Sequence, residues 1–343
     1  MSNDRPPVLV TGVSGYIATE LAAQLLEAGR AVRGTVRSAA KAERTRATLQ
    51  AGGVDTSRLS FAEADLLDAD SWAAACAGVE EVYHVASPFF VALPKDPDEL
   101  IVPAREGTLN VLRAATAAGV RRVVLTSSVA SIVYTDKHPS RPYDEHDWSD
   151  ETNVDGMSPY SRSKTIAEKA AWDYVRTHDD APELVTVCPG VVMGPLRAER
   201  LSDSLLSIAK LMRGEVPAIP NIGFEIVDVR DTAELHRLAM DSAGAAGQRY
   251  ACTAGYAPYV EYARTLRRLF PEYAGKVPKR VLPDWGVRIF ALFDKEAKGI
   301  LVELGKHSEV SSEKARAELG WAPRGVEAVL RATGEALIGA GAV

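Results

Sequence analysis

The sequence predicts a doubly wound α/β fold, a parallel sheet with helices on both faces, joined to a smaller second domain. Three observations carry this expectation. Short β-branched runs alternate with helical stretches through the first half, which requires crossover connections and hence parallel pairing. The first of these runs is continuously apolar, as a strand covered on both faces must be. The chain has 343 residues, more than one domain at roughly 150 residues each.

In order, residues 7–11 (PVLVT) form the first strand, closed by a glycine-containing turn, and 16–28 the first helix, stopped at Gly29. Residues 31–36, 59–63, 81–86, 122–127 and 184–188 supply the second to sixth strands, with a helix ending near Gly78 before the fourth. After Pro189 the rhythm changes. Helical stretches such as 203–213 are broken by Pro/Gly-rich turns, and strand-like pieces are fewer, at 224–229 and 249–252. Residues 1–192 are therefore expected to form the first domain, with a return segment at about 225–242. Residues 193–343 then make a smaller substrate-binding domain interleaved with it.

Composition narrows the function. Hydrophobic residues at 46% and charged ones at 25% are ordinary for a soluble globular chain. A net charge of −6 with no Lys/Arg block argues against nucleic acid and acidic membranes as partners. The first seven residues carry an acid and two prolines, unlike a secretory signal, and no stretch approaches the ~18 apolar residues of a membrane span. Cys76, Cys188 and Cys252 are odd in number and far apart, so they form neither a disulfide framework nor a zinc site. The six histidines lack metal-ligand spacing. The expectation is a cytoplasmic, metal-free protein, monomer or homodimer, acting on a small molecule.

The segment Thr11-Gly12-Val13-Ser14-Gly15-Tyr16-Ile17-Ala18 joins the first strand to the first helix, where a dinucleotide pyrophosphate would need it. Gly12 permits the tight turn, Gly15 lets the backbone approach phosphate, and the helix start offers free N–H groups and a positive dipole end. Ala18, in the place of a third glycine, is small enough for close helix packing. That strand-turn-helix context makes this a Rossmann-type nucleotide domain. An NAD-selective site would place a carboxylate at the end of the second strand. Arg37 stands there instead, with Ser38 and Lys41 beyond it, a set that suits a 2′-phosphate. Asp65 and Leu66, after the third strand, are positioned to bracket an adenine edge.

Tyr160 and Lys164 lie four residues apart, one turn along a helix that Ser158 and Pro159 start. Thr126, Ser127 and Ser128 lie where the fifth strand's carboxyl end opens into the crevice that doubly wound sheets use for ligands. A carbonyl that accepts hydride needs a proton donor, and a neighbouring cation lowers a phenol from its usual pKa near ~10. Tyr160 is the candidate donor, Lys164 the cation and ribose holder, and a strand-end serine the group that orients the substrate oxygen.

Taken together, TGVSGYIA at Thr11, VRGTVRS at Val32, ADLLD at Ala64, HVASP at His84, GTLNVLRAA at Gly107, VVLTSSVAS at Val123, YDEHDWSD at Tyr143, YSRSK at Tyr160, CPGVVMGP at Cys188 and ELGWAPR at Glu318 span nearly the whole chain. With these motifs it resembles the extended short-chain dehydrogenase/reductases, nearest the branch of dihydroflavonol 4-reductase, cinnamoyl-CoA reductase and the microbial aldehyde and ketone reductases. The resemblance implies NADP(H) as cofactor and Ser128, rather than Ser127, with Tyr160 and Lys164 as the catalytic triad. It gives Arg37 and Lys41 the 2′-phosphate. It also places Val85, Ala86 and Ser87, and Pro189, Gly190, Val191 and Val192, beside the nicotinamide.

The expected activity is NADPH-dependent reduction of an aldehyde or ketone. Phe89, Phe90, Ile132, Met193 and Pro195 fall on loops after the fourth to sixth strands, and Phe224 lies on a segment that closes over them. Such an apolar wall favours aromatic or bulky carbonyls over sugars. Plant members of the branch carry a polar residue after the fourth strand, where Pro88-Phe89-Phe90 follows here, so a flavonoid substrate is not implied. A nucleotide-sugar epimerase or dehydratase with tightly held NAD is the alternative, and Arg37 in place of an acid counts against it. A non-catalytic NADPH sensor would have lost the tyrosine, lysine or serine, and none is lost.

Overall fold

The computed structural model describes residues 5–88, 96–135, 140–198, 200–293 and 298–343. Its main sheet has seven strands: β1 (Val8–Val10), β2 (Val32–Val36), β3 (Leu59–Glu63), β4 (Glu81–His84), β5 (Arg122–Thr126), β6 (Glu183–Pro189) and β9 (Arg249–Cys252). They run in the order β3-β2-β1-β4-β5-β6-β9, every neighbouring pair parallel. β1, β5 and β9 are buried at every position, which is why their sequences carry no polar alternation. The chain leaves β1 toward β2 on one side and returns through β4 on the other. Strand order therefore reverses between β1 and β4, and that is where such a sheet opens a crevice at its carboxyl ends.

Helices α1 (Tyr16–Glu27), α2 (Ala39–Ala51) and α7 (Val229–Asp241) cover one face, with Leu21, Leu25, Leu49 and Leu235 in its core. On the other face α3 (Ala69–Cys76), α4 (Asp98–Ala117) and α5 (Pro159–Thr177) bury Trp72, Leu112 and Tyr174. Gly34 in the middle of β2 has a packing reason: a Cβ there would come within 2.4 Å of Val13 Cγ1, so its absence lets the turn after β1 lie against the sheet.

A three-stranded sheet, β7 (Val191–Met193), β8 (Gly223–Asp228) and β10 (Gly255–Pro258), joins β7 to β8 in parallel and β8 to β10 antiparallel. It packs on α6 (Asp203–Arg213), α8 (Tyr259–Leu269) and a C-terminal helix, α11 (Val326–Gly339), around Leu205, Ile208, Tyr262, Leu266 and Val329. A short helix, α9 (Asp284–Phe290), lies beside this unit. The chain rejoins the main sheet through α7, through β9 at its edge, and through α10 (Glu313–Leu319) and Trp321, whose Nε1 donates to the Asp231 carbonyl at 2.9 Å.

Candidate active site

The turn after β1 is fixed from below. Gly12 holds φ +60°, where side chains are strained, and a Cβ there would meet Ala86 Cβ at 3.0 Å. Its N–H donates to Thr35 Oγ1 at 2.9 Å. Thr11 is wholly buried, and its hydroxyl accepts the N–H groups of Val85 (3.0 Å) and Ala86 (2.9 Å) and pairs with His84 Nδ1 (2.9 Å). Its side chain thus locks β1 to the end of β4 and faces away from the turn. Helix α1 begins at Tyr16 with Gly15 as N-cap, no side-chain cap and no acid in its first turn, so the N–H groups of its first turn stay available to an anion. Ser14 and Ile17 flank that helix start. The Tyr16 ring turns into the second core, its hydroxyl buried, and burial together with the charges of Asp228 and Glu20 pushes the phenol up.

At the end of β2, Arg37 is exposed and, among the described residues, pairs with no carboxylate. Ser38 caps α2, which begins on the same side, and Lys41 donates its backbone N–H to that cap. Asp65 is exposed and spends one carboxylate oxygen on the Leu67 N–H at 3.0 Å, while the Leu66 carbonyl accepts from Asn110.

The three hydroxyls at the end of β5 have different fates. Thr126 Oγ1 pairs with His236 Nε2 at 2.7 Å, and Ser127 Oγ donates to Glu168 Oε2 at 2.5 Å. Both point into the core. Ser128 caps the short 3-10 turn Val129–Ser131, accepting the Ala130 N–H at 3.1 Å, and its hydroxyl lies near enough to the Tyr160 phenol to act on it. Tyr160 occupies the second position of α5, after Pro159 and a Ser158 cap. Lys164, one turn on and buried, has its Nζ 6.0 Å from the Tyr160 ring centroid.

Burial drives both groups toward their neutral forms. Lys164 is pulled down to about 8 by burial, with the charge of Glu168 opposing. Although 45% of Tyr160 faces the cleft, desolvation of its hydroxyl holds the phenol above its usual value. The neighbouring Ser128 hydroxyl pulls the other way, and the Asp203 charge adds to the rise. The lowering expected from a neighbouring cation does not prevail, because desolvation is the larger effect and burial weakens the Lys164 charge as well. The site therefore holds a protonated phenol. His84 beside Lys164 is kept neutral, pulled down to about 3 by burial and the Lys164 charge.

Ala86, Ser87, Thr126, Ser127, Lys164 and Glu168 line a narrow crevice at these carboxyl ends. A larger cavity of about 450 Å³ lies at the opposite end of the strands, among Arg30, Glu81, Arg121 and Glu183. Those groups are already paired with one another. Gly190 donates its N–H to the Cys252 carbonyl after Pro189 closes β6, and Val191 and Val192 continue into β7, Val192 against the first core and Val191 against the second.

The expected substrate wall is largely displaced. Ile132 is wholly buried with Tyr143, Cys188, Ala251 and Val310, and Met193 is in the second core, so neither offers a surface to a substrate. Both are apolar residues next to strand ends, and there the sheet and the second core claim them first. Pro195 and Phe224 remain partly open. Phe89 and Phe90 lie outside the described residues. Two residues not singled out in the sequence come close to Tyr160: Asp203 at the start of α6, and Tyr134, which donates to Glu303 Oε1 at 2.5 Å. No local pattern marks either; the fold delivers them.

Comparison with known proteins agrees with this fold. Residues 8–252 match the model of the NAD dependent epimerase/dehydratase family. A cinnamoyl-CoA reductase of Medicago truncatula is 37% identical over 86% of this chain and 90% of its own. A dihydroflavonol 4-reductase of Zea mays is 35% identical over 81% and 78%. Among solved structures, the yeast methylglyoxal/isovaleraldehyde reductase Gre2, complexed with NADPH, superposes with a TM-score of 0.81 at 26% identity, covering 98% of this chain and 100% of that one. The chain belongs to the NAD dependent epimerase/dehydratase family, alongside cinnamoyl-CoA and dihydroflavonol 4-reductases.

Proposed function

We propose that this protein is an NADPH-dependent carbonyl reductase that converts an aromatic or bulky apolar aldehyde or ketone to its alcohol. The observation that carries the reading is the placement of Ser128, at the carboxyl end of β5, beside the Tyr160 phenol, with Lys164 one turn further along α5. The residues around the turn fit a 2′-phosphorylated dinucleotide: an uncapped helix start, a glycine turn closed against Ala86, and an arginine, unpaired among the described residues, where an acid would select NAD. When bound, NADPH supplies the hydride.

The chain's own groups do the rest. Ser128 orients the substrate oxygen beside the Tyr160 hydroxyl, and Tyr160, protonated in this site, donates its proton to that oxygen as negative charge develops. Lys164 holds the ribose and supplies positive charge behind the phenol. The aromatic groups in the names of the plant relatives, together with half-open Pro195 and Phe224, support an apolar carbonyl. Three free, buried cysteines suit a reducing cytoplasm. Among the described residues no helix is long and apolar enough to cross a membrane.

The test is loss of NADPH absorbance against aryl and alkyl aldehydes, bulky ketones, β-ketoesters and free sugars. The reading expects a higher kcat/KM for a bulky aryl carbonyl than for acetaldehyde or any sugar. The reverse ranking refutes it.

A further inference from the structure

Glu168 lies on α5 one turn beyond Lys164 and two beyond Tyr160, 1% exposed. Its carboxylate is crowded with donors. Oε2 accepts from Ser127 Oγ and Ser131 Oγ, each at 2.5 Å, and Oε1 from Thr186 Oγ1 and Arg249 Nε, each at 2.8 Å. Arg249 is nearly as deep. Its Nη1 donates to the carbonyls of Glu145 (2.7 Å) and Asp147 (2.9 Å), and its guanidinium lies 3.6 Å from the centroid of the Trp148 ring. Ser127 and Ser131 bracket Ser128, and Ser131 Oγ is also 2.8 Å from the Ser128 carbonyl.

Stability alone does not account for such a pair, since apolar replacements of a buried ion pair are often neutral or stabilising. The placement suggests another use. Around Lys164, α5 presents Tyr160 and Glu168, β4 presents neutral His84, and β6 presents Cys188, whose thiol burial pushes up to about 12. Helix α4 presents uncharged Ala104 and Thr108, and β9 presents Arg249 behind the carboxylate. Among these groups Glu168, one turn along α5, carries the negative charge that acts on Lys164.

We propose that Glu168, backed by Arg249, is a positioning residue for the reduction: through Ser127 and Ser131 it fixes the turn that presents Ser128, and through its charge it holds the Lys164 ammonium. One carboxylate thereby ties the serine, the lysine and the helix of the tyrosine into a single unit. Arg249 keeps that carboxylate ionised in a dry place, so that its charge is present when Lys164 needs it. This rests on the assignment of Ser128, Tyr160 and Lys164 made above.

The test is the pH profile of kcat/KM for NADPH in wild type, Glu168→Gln, Glu168→Asp and the double variant Glu168→Gln/Arg249→Gln. Circular dichroism and thermal melts are run on each. Glu168→Gln preserves shape and removes charge, so the alkaline limb should move down by roughly one pH unit or more. Affinity for NADPH at pH 6, where Lys164 is charged in any case, should stay near wild type. Glu168→Asp should restore the limb.

If Glu168→Gln fails to fold because Arg249 is left alone, the double variant leaves no lone buried ion and should show the same displaced limb. Trace acetylation of Lys164 followed by mass spectrometry reads the same midpoint without any carbonyl substrate. A folded variant whose limb and acetylation midpoint match wild type overturns the proposal. Tyr160→Phe run in parallel separates the two ideas. Full activity there removes the triad itself, whereas an inactive Tyr160→Phe with an unmoved Glu168→Gln limb removes only the positioning role.

Discussion

Ser128 faces the Tyr160 phenol and lowers it, while its neighbour Ser127 gives its proton to Glu168. Adjacent serines on an extended strand end point opposite ways, so one is turned to the cleft and the other to the core. Ser128 accepts the Ala130 N–H, which leaves its own proton free for an oxygen in the cleft. Ser128→Ala should therefore lower kcat substantially with little effect on melting. Ser127→Ala should cost stability, because Glu168 loses a buried donor worth about 1–3 kcal/mol. Steady-state kinetics and thermal melts of the two alanine variants check this, and equal kinetic effects would contradict it.

Tyr160→Phe keeps the ring and removes the proton donor. A fall in kcat of ~10²–10⁴-fold is expected with NADPH affinity nearly unchanged. Fluorescence titration with NADPH beside single-turnover reduction measures both quantities, and activity within a few-fold of wild type would exclude the donor role.

Burial pulls the Lys164 ammonium down to about 8, below its ordinary value. The ammonium is present below that pH and is lost as pH rises through it. The kcat/KM for NADPH, which reports groups of the free enzyme, should accordingly decline above pH 8. Lys164→Ala should abolish that limb and raise KM for NADPH as well as lowering kcat. A profile flat to pH 10 in wild type would remove the ribose role.

Much of this arrangement is legible in the sequence, and what is missing is missing for one reason. The glycine turn, the strand ends and the Tyr160/Lys164 spacing are local, so residues close in sequence carry the signal. The placement of Arg249 against Glu168, of Asp203 near Tyr160, and of β9 at the edge of the main sheet is set by long connections that no local period encodes. Apolar residues beside strand ends, such as Ile132 and Met193, satisfy a pocket wall and a core equally well. Only the packing decides, and it places both in cores.

Glu225 on β8 is buried and raised to about 7, chiefly by desolvation, although the Thr253 hydroxyl and the Val310 N–H bond its two oxygens. A carboxyl raised on folding binds more protons in the native than in the unfolded state between its two pKa values. This group's contribution is therefore complete below about 4.5 and falls away as pH rises to about 7. Glu225→Gln removes that slope. Its melting temperature should exceed that of wild type at pH 8 by a few degrees and lose the advantage at pH 5. Melts across that range would contradict the assignment if the two proteins kept a constant difference.

The preference between the two cofactors is expected to rest on Arg37. It follows β2, exposed and, among the described residues, without a carboxylate partner, so a 2′-phosphate would meet a guanidinium free to donate two parallel bonds. NADH offers it nothing. Charge-assisted hydrogen bonds are worth roughly 1.5–3 kcal/mol and each 1.4 kcal/mol is tenfold, so NADPH should be preferred by about 10- to 200-fold in kcat/KM. Arg37→Ala should erase most of that margin. Because this end of the cofactor is remote from the reacting carbon, the loss should appear as a higher KM for NADPH with kcat nearly kept. A merely solvated arginine predicts that neither cofactor notices the substitution. Steady-state kinetics of both proteins with both cofactors separates the two cases, and a wild type that uses NADH as readily as NADPH would exclude the phosphate role.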